Sequence, residues 1–139
     1  MMKKSNAKWL KYTALAFAAG TGSFAFAQPA GNALLNSLNK GMWELRSVGG
    51  GPSRAAQSRI CLGSPTKLVQ IQHGNAKCTQ KILSVKSDRI TVHYSCPGLG
   101  QGLTNIRKES RRVIHIDSQG VRNGSPFNFS VEGRLKGRC

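Results

Sequence analysis

Acidic residues are nearly absent. Glu44, Asp88, Glu109, Asp117 and Glu132 are the only five in 139 residues, against 21 Lys and Arg. No two are spaced as a paired-carboxylate signature, so carboxylate-driven acid–base catalysis has little to build on. Histidine is scarce too, with His73, His93 and His115 alone. The sequence contains no G-x-S-x-G, no H-E-x-x-H and no C-x-x-C. Those gaps remove the nucleophile elbow, the zincin helix and the dithiol redox or zinc-knuckle motifs. Aromatics make up only 6% of the chain, so a large aromatic core is not available to a domain of this size. No apolar run reaches the roughly 20 residues that a membrane-spanning helix needs.

What is present at the start is a leader. Lys3, Lys4, Lys8 and Lys11 precede an apolar run from Tyr12 to Ala19, and small residues then lead to Ala25-Phe26-Ala27. Basic, apolar and A-x-A regions in that order make a secretory signal peptide. We expect residues 1–27 to be removed after Ala27, giving a periplasmic protein of 112 residues. No cysteine lies near that site to take a lipid anchor. Four basic residues leave with the leader, so 17 face the five acids and the mature net charge is +12. A field of that sign attracts polyanions.

All four cysteines, Cys61, Cys78, Cys96 and Cys139, fall in the mature part. An even number in a small exported chain reads as a disulfide framework, and four allow three pairings. The stretch "CTQKILSVKSDRITVHYSC" selects among them. Two β-rich runs flank a turn signal at Ser87-Asp88, and a loop over 86–88 sets Cys78 opposite Cys96. A one-residue slip in register would flip the faces. If Cys78 pairs with Cys96, Cys61 pairs with Cys139, which is then structural and not a reactive thiol.

The rest of the chain reads as short strands in one domain over 41–139, preceded by a short helical segment within 28–40. "NALLNSLNK" (32–40) suggests a helix capped by Asn32, with Leu34, Leu35 and Leu38 on one face. "GMWELRSV" is a first strand, "GGGPS" a turn, and "AAQSRICL" a second strand carrying Cys61. Ser64-Pro65 suggests the start of a second short helix. "PGLGQG" lacks the following helix of a phosphate-binding loop and reads as a turn or bulged strand. "LTNIR" and "RRVIHID" read as strands joined by "KES", and "SQGVRNGSP" as turn-rich. From Phe127 to Leu135 apolar and polar residues alternate, the pattern of a half-buried strand. The expected fold is mainly β: an antiparallel meander of seven or eight short strands, open to curling into a partial barrel, with two short helices and two disulfides.

The order of these features resembles domain of unknown function 3617, a family of small exported Gram-negative proteins. The residues that carry the resemblance are Gly41, Trp43 and Glu44 in the opening strand, the cysteine ending the second strand, the Ser-Pro helix start, the Cys–Cys hairpin, and Gly133, Arg134, Gly137 and Cys139 at the end. It covers residue 41 to the C-terminus. The chain differs in being more basic and in lacking a Met- and Pro-rich loop after the first strand. The resemblance implies an exported β domain and lends no catalytic residues.

Three classes of function follow. The first is a non-enzymatic binding or envelope-associated module for an anionic or amphiphilic ligand, without a cofactor or metal. Its candidate anion-binding residues are Arg107, Lys108, Arg111 and Arg112. Its partners would be lipopolysaccharide or another envelope polyanion, and nucleic acid bound without sequence preference fits the same charge. The alternative reading of the same run is a solvated hairpin tip. The second class is a protein–protein or enzyme-inhibitor module that uses an exposed edge. The third is a small hydrolase or ribonuclease drawing on His93, His115, Glu109 and Arg112.

Overall fold

The computed structural model describes residues 30–49 and 58–139. The leader, the Ala27 cleavage point and most of the "GGGPS" turn lie outside them. The described chain runs α1 (Ala30–Asn36), β1 (Gly41–Ser47), β2 (Ser58–Leu62), two 3-10 turns (Pro65–Leu68 and Ile71–His73), β3 (Thr79–Val85), β4 (Arg89–Cys96), β5 (Gly100–Ser110), β6 (Val113–Arg122) and β7 (Ser125–Gly137). The seven strands form one antiparallel sheet in the order β2-β1-β7-β6-β5-β4-β3. It is not closed, because β2 and β3 remain as edges. Among the described residues no helix is long and apolar enough to cross a membrane.

The β3–β7 meander follows from alternation and turn chemistry. In β4 every second residue is buried: Ile90, Val92, Tyr94 and Cys96. The partners continue these into rows across the sheet. Ile90 faces Ile106, which faces Ile116, which faces Val131. The next row is Val92, Thr104, Ser118 and Phe129, and the next Tyr94, Gly102, Gly120 and Phe127. Along that last row two glycines lie between two aromatics, and the rings occupy the space that side chains would take. A Cβ on Gly102 would lie 2.6 Å from Tyr94 ring atoms, and one on Gly120 would lie 2.9 Å from the Phe127 ring.

One face of the sheet is therefore apolar, and a single hydrophobic cluster covers it. Leu34, Leu35 and Leu38 join it from α1 and the residues just after, and Leu68 and Val69 from the 3-10 segment. Thr104 ties that segment down. Its hydroxyl donates to the Val69 carbonyl at 2.6 Å, and the Ser118 hydroxyl lies 2.8 Å from it. This network satisfies the polar groups that the inner face buries.

Several expectations need correction. The helix starts at Ala30, so Asn32 lies inside it and is not its cap. The Ser64-Pro65 helix is two 3-10 turns. Proline does sit at the start, but the Ser64 side chain makes no capping bond to the backbone and instead meets the Thr66 hydroxyl at 2.8 Å. "KES" is not a connection, because β5 runs through it and the chain turns at Arg111-Arg112. "SQGVR" is strand as well. The turn there is Asn123-Gly124 alone, with φ of 50° and 78°. Positive φ at both positions matches the twist of a two-residue hairpin, and Asn-Gly tolerates it.

The structure joins Cys78 to Cys96 and Cys61 to Cys139, with Cα atoms 4.1 and 5.6 Å apart. The hairpin reaches the first pairing by a route that differs from the simple three-residue loop. At the turn, Val85 faces Ile90, one residue out of the expected register. A bulge between Ile82 and Ser84 then restores it, so that Thr79 faces Ser95 and the cysteines beyond meet. Two disulfides fit an oxidising compartment outside the cytoplasm.

Candidate polyanion interface

Both ends of the sheet are made by turns, and their charges differ. At one end lie the β3–β4 turn, the β5–β6 turn, the start of β1 and the end of β7. The Lys86 amide bonds the Arg89 carbonyl at 2.7 Å, and the Lys108 amide bonds the Asp88 carbonyl at 2.7 Å, which holds the first turn against β5. The Arg111 carbonyl accepts from the Asn39 amide, and the Arg112 carbonyl from the Leu135 amide. The β5–β6 turn is thereby pinned between the approach to β1 and the end of β7. Lys40, Lys86, Arg89, Arg111 and Arg112 are all exposed there, with Asp88 and Glu109 as the exposed acids beside them. Six adjacent strands at about 4.8 Å spacing make this rim roughly 24 Å wide. Among the described residues the opposite end turns through Pro97–Leu99 and Asn123–Gly124, which carry no charge, with Arg122 beside the second turn.

The four candidate residues do not act as one cluster. Arg111 and Arg112 form the tip of the β5–β6 turn and face solvent. They are turn residues and not the start of the strand, which begins at Val113. Arg107 lies on the polar outer face, 3.0 Å from the Glu109 carboxylate. Lys108 points to the inner side, where its Nζ donates to the Ser37 hydroxyl at 2.7 Å and packs the stem toward α1. Strand alternation separates these two neighbours. The rim gains instead Lys40, Lys86 and Arg89, which sequence reasoning left out because they are remote along the chain.

The outer face holds an ion-pair ladder. Arg46 faces Glu132, which faces His115, which faces Arg107, which faces Arg89. Glu44 pairs with Arg46 at 2.5 Å and with Lys136 at 3.6 Å, and Glu132 pairs with Arg134. The hydrogen bond from Arg46 holds the Glu44 carboxyl below its ordinary range. That from Arg134 does the same for Glu132, and Glu132 in turn raises Arg134. Three of the five acids are thus engaged with basic partners along the outer face, which leaves the rim cations with few competitors.

For the hydrolase set, the structure brings Glu109 to His115 at 3.0 Å. It does not assemble the rest. His93 lies four residues further along the strands and two strands over, about 13 Å along and about 10 Å across, with its Nε2 3.3 Å from Gln101 Oε1. Arg112 is in the turn. His73, which received no role from the sequence, is the buried histidine. Its Nδ1 lies 3.1 Å from the Tyr94 hydroxyl, and its ring meets those of Tyr94 and Phe127 edge-on. Burial raises the Tyr94 phenol above its ordinary value, partly opposed by a hydrogen bond with Ser118. Nothing in the local pattern around His73 distinguishes it from an exposed turn residue.

Among the described residues no group of three or more His, Cys, Asp or Glu side chains is placed to hold a metal ion. No protein-family model, no curated protein and no solved structure matches the chain significantly.

Proposed function

We propose that the chain is an exported periplasmic protein, related to the domain of unknown function 3617, whose mature part binds an anionic envelope polymer or lipid headgroup without catalysing a reaction. The observation that carries this reading is the basic rim, where exposed cations from three segments converge at one end of the sheet. A phosphate-rich surface meets such a rim through many weak contacts, each contributing about 1 kcal/mol near an anionic membrane. The leader and the two disulfides support export.

The test is binding to vesicles carrying lipopolysaccharide, with zwitterionic vesicles and duplex DNA alongside. Salt should weaken binding strongly, since exposed charges are screened beyond about 8 Å at physiological ionic strength. Reversing Arg111 and Arg112 to Glu should lower affinity by at least about tenfold, whereas reversing Lys67 and Lys77 should leave most of it. Equal losses in the two variants, or no binding at low salt, would remove the proposal. Stronger binding to DNA would shift the partner to nucleic acid. The purified periplasmic form should begin Gln28-Pro29-Ala30.

A further inference from the structure

The basic rim is not the only unpartnered basic surface. β3 ends the sheet, and among the described residues no strand pairs with its outer side. Every residue of β3 except Ile82 is exposed, Leu83 to 53% and Val85 to 36%. Leu83 is the residue that the bulge skips, so it has no partner in β4 and stands out from the ladder. Beside the first half of the strand runs an open groove of about 540 Å³, between β3 and the 3-10 segment. Gln70 and Gln80 form its polar base, joined at 3.1 Å, and Lys67 and Lys77 line it. Residues 65–85 contain three lysines, Lys67, Lys77 and Lys81, and no acid.

We infer that the β3 edge and its groove dock an acidic, extended segment of a partner protein, which adds to the sheet as an eighth strand. This goes beyond polyanion binding at the rim and uses different residues. An unpaired edge presents main-chain N–H and C=O groups at the peptide repeat, which a phosphate polymer cannot match and an extended peptide can. Seven residues give a pairing length of about 23 Å. Side chains alternating from the added strand fall toward the groove on one face and toward Lys81 on the other. The lysines select acidic residues at those places.

A second copy of this chain is disfavoured by the same features. Two β3 edges paired antiparallel about Lys81 would set the two Lys81 side chains opposite one another and gather the groove lysines on both sides, and like charges opposite one another destabilise a strand pair. A bulge and lysines on an edge also obstruct self-pairing. The edge is thus guarded against its own kind while open to a strand of opposite charge.

The probe is a capped peptide of alternating valine and glutamate, added to the disulfide-bonded mature protein and followed by NMR and amide hydrogen exchange. Exchange in β3 should slow on binding, and the shifts should concentrate at residues 79–85 and in the groove. The same peptide N-methylated at alternate residues keeps its charge and loses main-chain donors. It should bind at least about tenfold more weakly, as should the unmodified peptide to a Lys77→Glu, Lys81→Glu variant. A peptide with lysine in place of glutamate should fail, which tests the charge selection with no change to the protein. The Arg111→Glu, Arg112→Glu variant should bind the valine–glutamate peptide at undiminished affinity, so this proposal and the rim proposal fail separately. Equal binding of the N-methylated peptide would reduce the site to charge attraction and overturn the inference. Slowed β3 exchange that depends on protein concentration without peptide would assign the edge to a second copy and overturn it as well.

Discussion

Gly102 lies directly against Tyr94: a Cβ built on the glycine would sit 2.5 Å from the phenolic oxygen. The two are register partners in adjacent strands, and the Tyr94 ring lies where a side chain on Gly102 would be. The tyrosine is fully buried, so its ring has no free space to swing into. Gly102→Ala should therefore destabilise the domain by about 1–3 kcal/mol, the usual cost of overpacking. Gly120→Ala should cost more, because its Cβ would meet the Gln101 carbonyl oxygen at 2.1 Å and the backbone itself must move. Gly63→Ala, with no atom within 4 Å and ordinary backbone angles, is the control and should be near neutral. Urea unfolding of the three variants, followed by the fluorescence of the buried Trp43, would check the order. Equal stabilities for all three would show that the aromatic row tolerates side chains.

The second prediction concerns the C-terminus. Cys139 is bonded to Cys61 across 78 residues of chain, and this ties the end of β7 to the edge strand β2 across the start of β1. In the chain-entropy model a loop of that length stabilises by about 4.5 kcal/mol, against about 3 kcal/mol for the Cys78–Cys96 loop. Cys139→Ser should lower the melting temperature sharply and leave Cys61 as the newly labelled thiol. The unreduced wild type should label nowhere. Ready labelling of Cys139 in the wild type would overturn the clamp.

The third concerns pH. If the leader is removed, Tyr94 is the only tyrosine left, so phenolate absorbance reports it alone. Burial raises its folded-state value above the unfolded one, so the unfolded chain loses the proton first. Stability from this group is fully present below about pH 10 and falls as the pH rises above it toward the folded value. Phenolate should appear late and together with loss of the native fold. A simple titration near pH 10 with the fold intact would contradict the buried placement. At the acid end Glu44 and Glu132 have lowered values, held by Arg46 and Arg134. Their contribution is present above the unfolded carboxylate range and is lost as the pH falls through the folded values. Because these pairs are exposed, the acid limb should be shallow.

Some of this was legible from residue order alone. The alternation from Phe127 to Leu135 sets an inner and an outer face without reference to any partner, because side chains on a strand point alternately. The spacing of Cys78 and Cys96 about Ser87-Asp88 was sufficient for their pairing, although a turn one residue longer and a compensating bulge deliver it. Those are local facts, carried by neighbours in the chain. The turns were less legible: the strands run on through "KES" and "SQGVR" because pairing with adjacent strands outweighs the turn preference of single polar residues.

What the amino-acid sequence determined by itself is the sign and size of the charge, the mainly β class and the apolar face of the last strand. Only the tertiary structure decided where the charge stands. Alternation sent Lys108 inward and Arg107 into an ion pair, while Lys40, Lys86 and Arg89 arrived at the rim from distant segments. The strand order was likewise decided in three dimensions. β1 docks beside β7, where Gly133 leaves room for Leu45 and Ile114; a Cβ there would lie 3.0 and 2.9 Å from them. A period along the chain specifies which face a residue takes. It does not specify which remote strand will lie alongside, since that depends on contacts between residues far apart in sequence.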